Sequence, residues 1–148
     1  MISATRPAPG SESDLVTTTK ALLAGLARTC VRLLVVGGAG SLVVPDTGGT
    51  TVLDHPDFQP PVAARDLAEA CTDQLEACRA EAVVDWAYLS PAALLAPGER
   101  TGNYRLGTDE LLVDAHGRST VSMEDLAVVL LDEAEHPRQH RTRFTAAY

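Results

Sequence analysis

Residues 31–44 read VRLLVVGGAGSLVV. Between Val31 and Val36 five of six side chains are aliphatic and one is charged. A run of β-branched residues and leucines is what a strand covered on both faces requires. Gly37, Gly38 and Gly40 follow at once, so the strand is expected to end in a turn whose bare backbone opens a crevice. That crevice belongs at the carboxyl edge of a sheet, where open α/β sheets bind their ligands. Ser41 is the first hydroxyl on that edge. Gly38 and Gly40 do supply a G-x-G after a strand, but the dinucleotide fingerprint needs a third glycine where Val43 stands. Pro45, Gly48, Gly49 and Pro56 also keep any helix from opening over 42–57 to receive a pyrophosphate.

Outward from this strand the chain alternates. Met1 to Ala4 reads as the end of a strand. Ser13 is expected to cap a helix from Asp14 to about Arg28, with Leu15, Leu22, Leu23 and Leu26 at helical spacing. Residues 42–61 form a long irregular loop, and a loop of that length in a compact domain is more often functional than not. A second helix is predicted from Val62 to about Glu81, with Leu67, Cys71, Leu75 and Cys78 on its buried face. Val83 to Ser90 is then a second buried strand, its Trp86 and Tyr88 directed into the core. Two strands, each preceded by an amphipathic helix, make βαβ crossovers and a parallel sheet. Glycines punctuate 97–121 into short strands or a hairpin. Ser122, with Asp125 three residues on, starts a last helix through about Glu135 whose Leu126, Val129 and Leu130 face inward. Pro137 stops it, and Arg143 to Tyr148 form a final strand. The fold class is therefore α/β in a single domain of 148 residues.

The formal charge of −8 and the single lysine, Lys20, argue against a nucleic-acid surface, because phosphate binding draws on clustered lysine and arginine. His136, Arg138, His140, Arg141 and Arg143 are the one basic cluster, expected to complement the dipole at the end of the last helix. Cys30, Cys71 and Cys78 are an odd number, which suits a reducing cytoplasm. Cys71 and Cys78 lie on one helix face about 10.5 Å apart at roughly 1.5 Å per residue, too far for a disulfide, and read as small core residues. No apolar run approaches the about 20 residues of a membrane span, and no leader is evident.

The segments VVGGAGSL (35–42), WAYLSPA (86–92), PGERTGNYRLGTDELLVD (97–114), VSMEDLAV (121–128) and RFTAAY (143–148) together resemble a family. It is the NmrA-like, NADH-flavin-reductase-like branch of the atypical short-chain dehydrogenases/reductases. The resemblance implies a partial Rossmann-like parallel sheet with flanking helices and a small C-terminal strand/helix region on the substrate side. It implies NADP or NAD as cofactor, with Gly37, Gly38, Ala39, Ser90, Pro91 and Ala92 on the cofactor side and Ser41 toward the substrate. Thr5 and Arg6 would stand at the same edge, suited to a ribose or phosphate contact or to a solvated loop. Family members begin with a strand and a glycine-rich phosphate loop, so this chain corresponds to their C-terminal two thirds. The Tyr-x-x-x-Lys pair of short-chain dehydrogenases is absent, since neither Tyr88 nor Tyr104 has a lysine four residues on, and Ser41 alone is a poor proton donor.

Ser41 either orients a substrate carbonyl or caps the glycine turn. Asp54, His55 and Asp57, with Phe58 beside them on the substrate side, read as an acid–base or metal cluster, for which no third ligand is specified, or as ordinary turn chemistry around Pro56. His136 and His140 have the i, i+4 spacing of a metal pair, but Pro137 between them opposes it, so no metal is assigned. Three functions follow. The first is an NAD(P)H-binding reductase passing hydride to a flavin, quinone or small carbonyl. The second is a cofactor-free interaction or sensor module. The third is a lyase, isomerase or hydrolase using the 54–57 loop. The partner is a small molecule, with no nucleic acid or membrane. An open sheet edge further predicts a homodimer or a separate N-terminal half. A pocket is expected where 37–41, 90–92 and 54–58 converge, and Gly38→Val is expected to harm binding more than stability.

Overall fold

Leu33, Leu34 and Val35 are almost wholly buried in the computed structural model, which describes residues 1–58 and 60–148, so position 59 of the expected 42–61 loop lies outside the described residues. In chain order the elements are β1 (Ile2–Ser3), α1 (Asp14–Leu26), β2 (Leu33–Val36), α2 (Val62–Arg79) and β3 (Trp86–Ser90). There follow β4 (Leu94–Ala96), β5 (Arg105–Gly107), β6 (Thr120–Ser122), α3 (Met123–Glu135) and β7 (Thr142–Ala147). The main sheet has the order β1-β2-β3-β7-β5, with β1, β2, β3 and β7 parallel and β5 antiparallel at the far edge. The expected crossovers are therefore β1-α1-β2 and β2-α2-β3. A second, two-stranded parallel sheet joins β4 to β6.

Alternation along the strands sends side chains to two cores. Leu33 and Val35 of β2 and Trp86 and Tyr88 of β3 pack under Leu23 and Leu26 of α1 and Leu75 and Cys78 of α2. On the opposite face Leu34, Ala87, Leu89, Phe144 and Ala146 meet Leu126 and Val129 of α3. Each large aliphatic or aromatic side chain buried in this way contributes about 1.5–3 kcal/mol relative to an exposed one. Leu42, Val44, Val52 and Leu111 close a third, smaller core beneath the loops beyond the carboxyl edge of the sheet. Among the described residues no helix is long and apolar enough to cross a membrane.

Several local expectations change. Ser13 makes no side-chain cap, because the chain is already helical there: Asp14 N–H bonds to Ser11 O and Leu15 N–H to Glu12 O, which puts Ser13 inside the first turn. The strands begin two or three residues late, leaving Val31 and Val83 exposed. Leu67 and Cys71 are half-buried on α2, while Leu75 and Cys78 are fully enclosed. The 42–61 segment is more ordered than expected, since Val43 bridges both Thr51 and Glu110. Of the short strands or hairpin expected within 97–121, short strands form, with β5 pairing to β7 and β6 to β4. Ser122 does cap α3, accepting from Asp125 N–H at 2.9 Å. The basic cluster does not serve the helix dipole. The last turn of α3 holds no basic residue, His140 pairs with Asp85 at 2.9 Å, and Arg143 is drawn into β7.

Candidate functional site

Parallel pairing brings the carboxyl ends of β1, β2 and β3 to one edge, so Thr5 and Arg6, the glycine turn at 37–40 and Ser90–Ala92 leave the sheet on the same side. Gly37 N–H bonds to Leu89 O at 3.0 Å, tying the turn to the end of β3. Thr5 and Arg6 are exposed, and the Arg6 charge acts on the Cys71 thiol, which burial pushes up to about 11.

The bare faces of the glycines point into the protein. A Cβ on Gly37 would lie 1.9 Å from the tip of the Tyr88 ring, one on Gly38 would lie 2.8 Å from Cys71 Cβ, and one on Gly40 would lie 3.0 Å from Leu53. Close packing, not an open crevice, is thus what demands glycine here. This reverses the order expected for Gly38→Val, whose first cost is to stability. Tyr88 completes the packing, donating its hydroxyl to Cys71 O at 2.7 Å and accepting from Gly38 N–H at 3.4 Å. Burial raises its phenol well above the ordinary range, so Tyr88 is a fixed wall of the turn and no proton donor.

Ser41 lies just beyond the turn and accepts a hydrogen bond from Arg143 Nη1 at 2.9 Å. Arg143 stands opposite Tyr88 in the β3–β7 ladder and is only 5% exposed. Its Nε donates to Asp109 Oδ1 at 2.9 Å, and its Nη2 reaches the same carboxylate. Two register steps further, Ser90 pairs with Thr145; both hydroxyls are fully buried and neither has a hydrogen-bond partner among the described residues. Pro91 and Ala92 are buried as well, and Ala92 belongs to the core beneath α3, away from the glycine turn.

The 54–58 loop touches the turn through Leu53 N–H, which bonds to Gly40 O at 3.0 Å. Asp54 is occupied as turn chemistry, accepting from the Thr51 hydroxyl at 2.7 Å. His55 Nδ1 accepts from Asp57 N–H at 3.3 Å, and its ring lies 5.5 Å from that of Phe58. Among the described residues no group of three His, Cys, Asp or Glu side chains could hold a metal. A cleft of about 730 Å³ opens on the outer side of this loop, lined by Asp57, Phe58, Leu94, Val113, His116 and Arg118. It receives Phe58 and begins one residue past Ala92, whereas Ser41 and the glycines are not among its walls.

Arg143 is the functional candidate that the sequence reading placed elsewhere. Its partners, Ser41 and Asp109, lie 102 and 34 residues away in the chain. The usable signal was the alternation of the final strand, where Arg143 and Thr145 share one face and Phe144 and Ala146 the other.

No family model matches the chain. It is 40% identical over 147 residues to YwnB of Bacillus subtilis strain 168, an uncharacterised protein, covering 98% of this chain and 68% of that one. Among solved structures, a candidate exported protein of Burkholderia pseudomallei superposes with a TM-score of 0.87 at 40% identity, over 99% of this chain and 70% of its own. A candidate NADH-flavin reductase of Streptococcus pneumoniae TIGR4 does so with a TM-score of 0.89 at 34% identity and the same coverage.

Proposed function

The chain belongs to the family of Bacillus subtilis YwnB and has an NAD(P)-binding, short-chain-dehydrogenase-like fold, and from that premise we propose that it acts as an NAD(P)H-dependent reductase. The acceptor is a flavin, quinone or small carbonyl, and the name of the Streptococcus relative points to the first of these. One observation carries the reading: at the carboxyl edge of the parallel sheet a serine hydroxyl is held by a buried arginine.

The residues present suit the nicotinamide end of such a cofactor. Ser90 and Thr145 offer two buried hydroxyls without a hydrogen-bond partner among the described residues, the groups a carboxamide would satisfy. Gly37, Gly38, Ala39 and Pro91 form the adjoining wall, and Thr5 and Arg6 stand where a ribose or phosphate would lie. Ala92 follows Pro91 into the core beneath α3 and would back that wall from inside. When bound, the reduced nicotinamide supplies the hydride. Ser41 orients the acceptor, and Phe58 gives the neighbouring cleft an aromatic wall. Asp54, engaged by Thr51, is assigned no chemistry.

We also propose that the protein is a homodimer. β1 pairs on one side only, and Met1 and Ile2 on that edge are exposed.

Steady-state oxidation of NADPH and NADH with FMN or a quinone as acceptor tests the reductase reading. Ser41→Ala is expected to lower kcat by about 100-fold with little change in KM for the nucleotide. Absence of turnover by the wild-type protein with every acceptor would reject it.

A further inference from the structure

We propose that Arg143 is a positioning residue that fixes the Ser41 hydroxyl as the hydrogen-bond donor of the site. The inference rests on the reading of Ser41 as the group facing the hydride acceptor. It also answers a chemical difficulty, because a serine alone donates weakly.

A guanidinium has only donors and keeps its charge at any ordinary pH. The Arg143 Nη1–Ser41 Oγ bond of 2.9 Å therefore has one direction, with the serine oxygen accepting. The hydroxyl hydrogen must point elsewhere, and among the described residues Ser41 Oγ donates to no acceptor. A free hydroxyl would share its time between accepting and donating. This one is committed to donate outward, with a cation behind its oxygen to favour the negative charge that donation leaves there. The arrangement suits an acceptor atom that gains electron density, such as a carbonyl oxygen or a flavin ring nitrogen.

The setting preserves the effect. Arg143 is 5% exposed and locked by β7, whereas its counter-ion Asp109 has a side chain 62% exposed and shares its Oδ1 with Arg79 at 3.3 Å. Water screens the carboxylate more than it screens the Arg143–Ser41 contact. The charged groups joined to Ser41 are thus Arg143 from β7 and, through it, Asp109 from the loop after β5 and Arg79 from the end of α2, with Glu110 next to Asp109 in the chain. Tyr88, opposite Arg143 on β3, stays neutral.

A thiol at position 41 reports the local field without any need for turnover. In a Cys30→Ser background the remaining natural thiols, Cys71 and Cys78, are pushed by burial up to about 11 and about 12 and stay silent. Ser41→Cys is introduced there, and its rate of alkylation by iodoacetamide is followed against pH, with and without Arg143→Met. The thiol is expected to titrate about one unit lower with Arg143 in place, a tenfold difference in thiolate. Equal titration in the two folded proteins overturns the inference. Should Arg143→Met fail to fold, Asp109→Asn decides: unscreening the arginine must lower the thiol pKa further, and no change or a rise overturns the inference. With NADPH and FMN, Arg143→Met is expected to lose about tenfold in kcat at constant KM, and Arg143→Lys to regain part of it. A loss confined to KM, or no rescue by lysine, counts against positioning. An inactive wild-type protein rejects the reductase reading and leaves the thiol titration to judge Arg143.

Discussion

Gly37 has its missing side chain replaced by a neighbour, with Tyr88 filling the space a methyl group would need. Gly37→Ala therefore forces either the ring or the turn to move. The expected cost is about 1–3 kcal/mol, the usual range for overpacking a rigid site. Thermal unfolding by circular dichroism measures it; an unchanged Tm would mean that the turn is looser than these distances imply. Arg143 poses the opposite case, a large charged group that is almost wholly buried. It is tolerated because both ends of its fork are bonded, to Ser41 and to Asp109. The glycines and the arginine show the same limit of local reading. Each residue type was plain in the sequence, but what it faces is set by chain distant in sequence, as with Gly38 and Tyr88, 50 positions apart.

Among the elements, all three helix starts were legible, α1 at Asp14, α2 at Val62 and α3 at Met123, and for α3 the cap was readable too. Ser122 caps it as the S-x-x-D spacing implies, but the buried Asp125 carboxylate turns away from the cap and pins the loop between β4 and β5. The Thr101 hydroxyl first, then Gly102 N–H and the Tyr148 hydroxyl, hold that carboxyl down at about 2. A depressed carboxyl stabilises the fold fully above its unfolded value of about 3.9 and loses that contribution as pH falls through its folded value. Asp125→Asn should accordingly be less stable than wild type at neutral pH, with the gap closing between about pH 4 and pH 2. Denaturation midpoints at a series of pH values check this, and parallel curves would refute it. Helices α1 and α2 and strands β2 and β3 were readable because apolar period alone specifies a doubly covered strand and a one-sided helix. The pairing of β5 with β7 was not, since Arg105–Gly107 carries no pattern that names a partner 40 residues on.

At the scale of the whole molecule, the parallel sheet, the order of its crossovers and the edge where its turns gather followed from the sequence. The third core under Leu42, Val52 and Leu111 did not, because it is assembled from loops whose apolar residues show no period. The exposed β1 edge leads to the proposed dimer, which sedimentation velocity at micromolar concentration resolves. A single species of dimer mass is expected, and a compact monomer with cooperative unfolding would mean that this edge needs no cover. Above all, we propose that the carboxyl edge bearing Ser41, Arg143, Ser90 and Thr145 receives a nicotinamide cofactor. Calorimetric titration of the wild-type protein with NADPH and with NADH tests that claim most directly. Saturable binding of at least one, with a Kd below about 1 mM and weakened by Thr145→Val, is the predicted result. Failure of both to bind below that limit would contradict it.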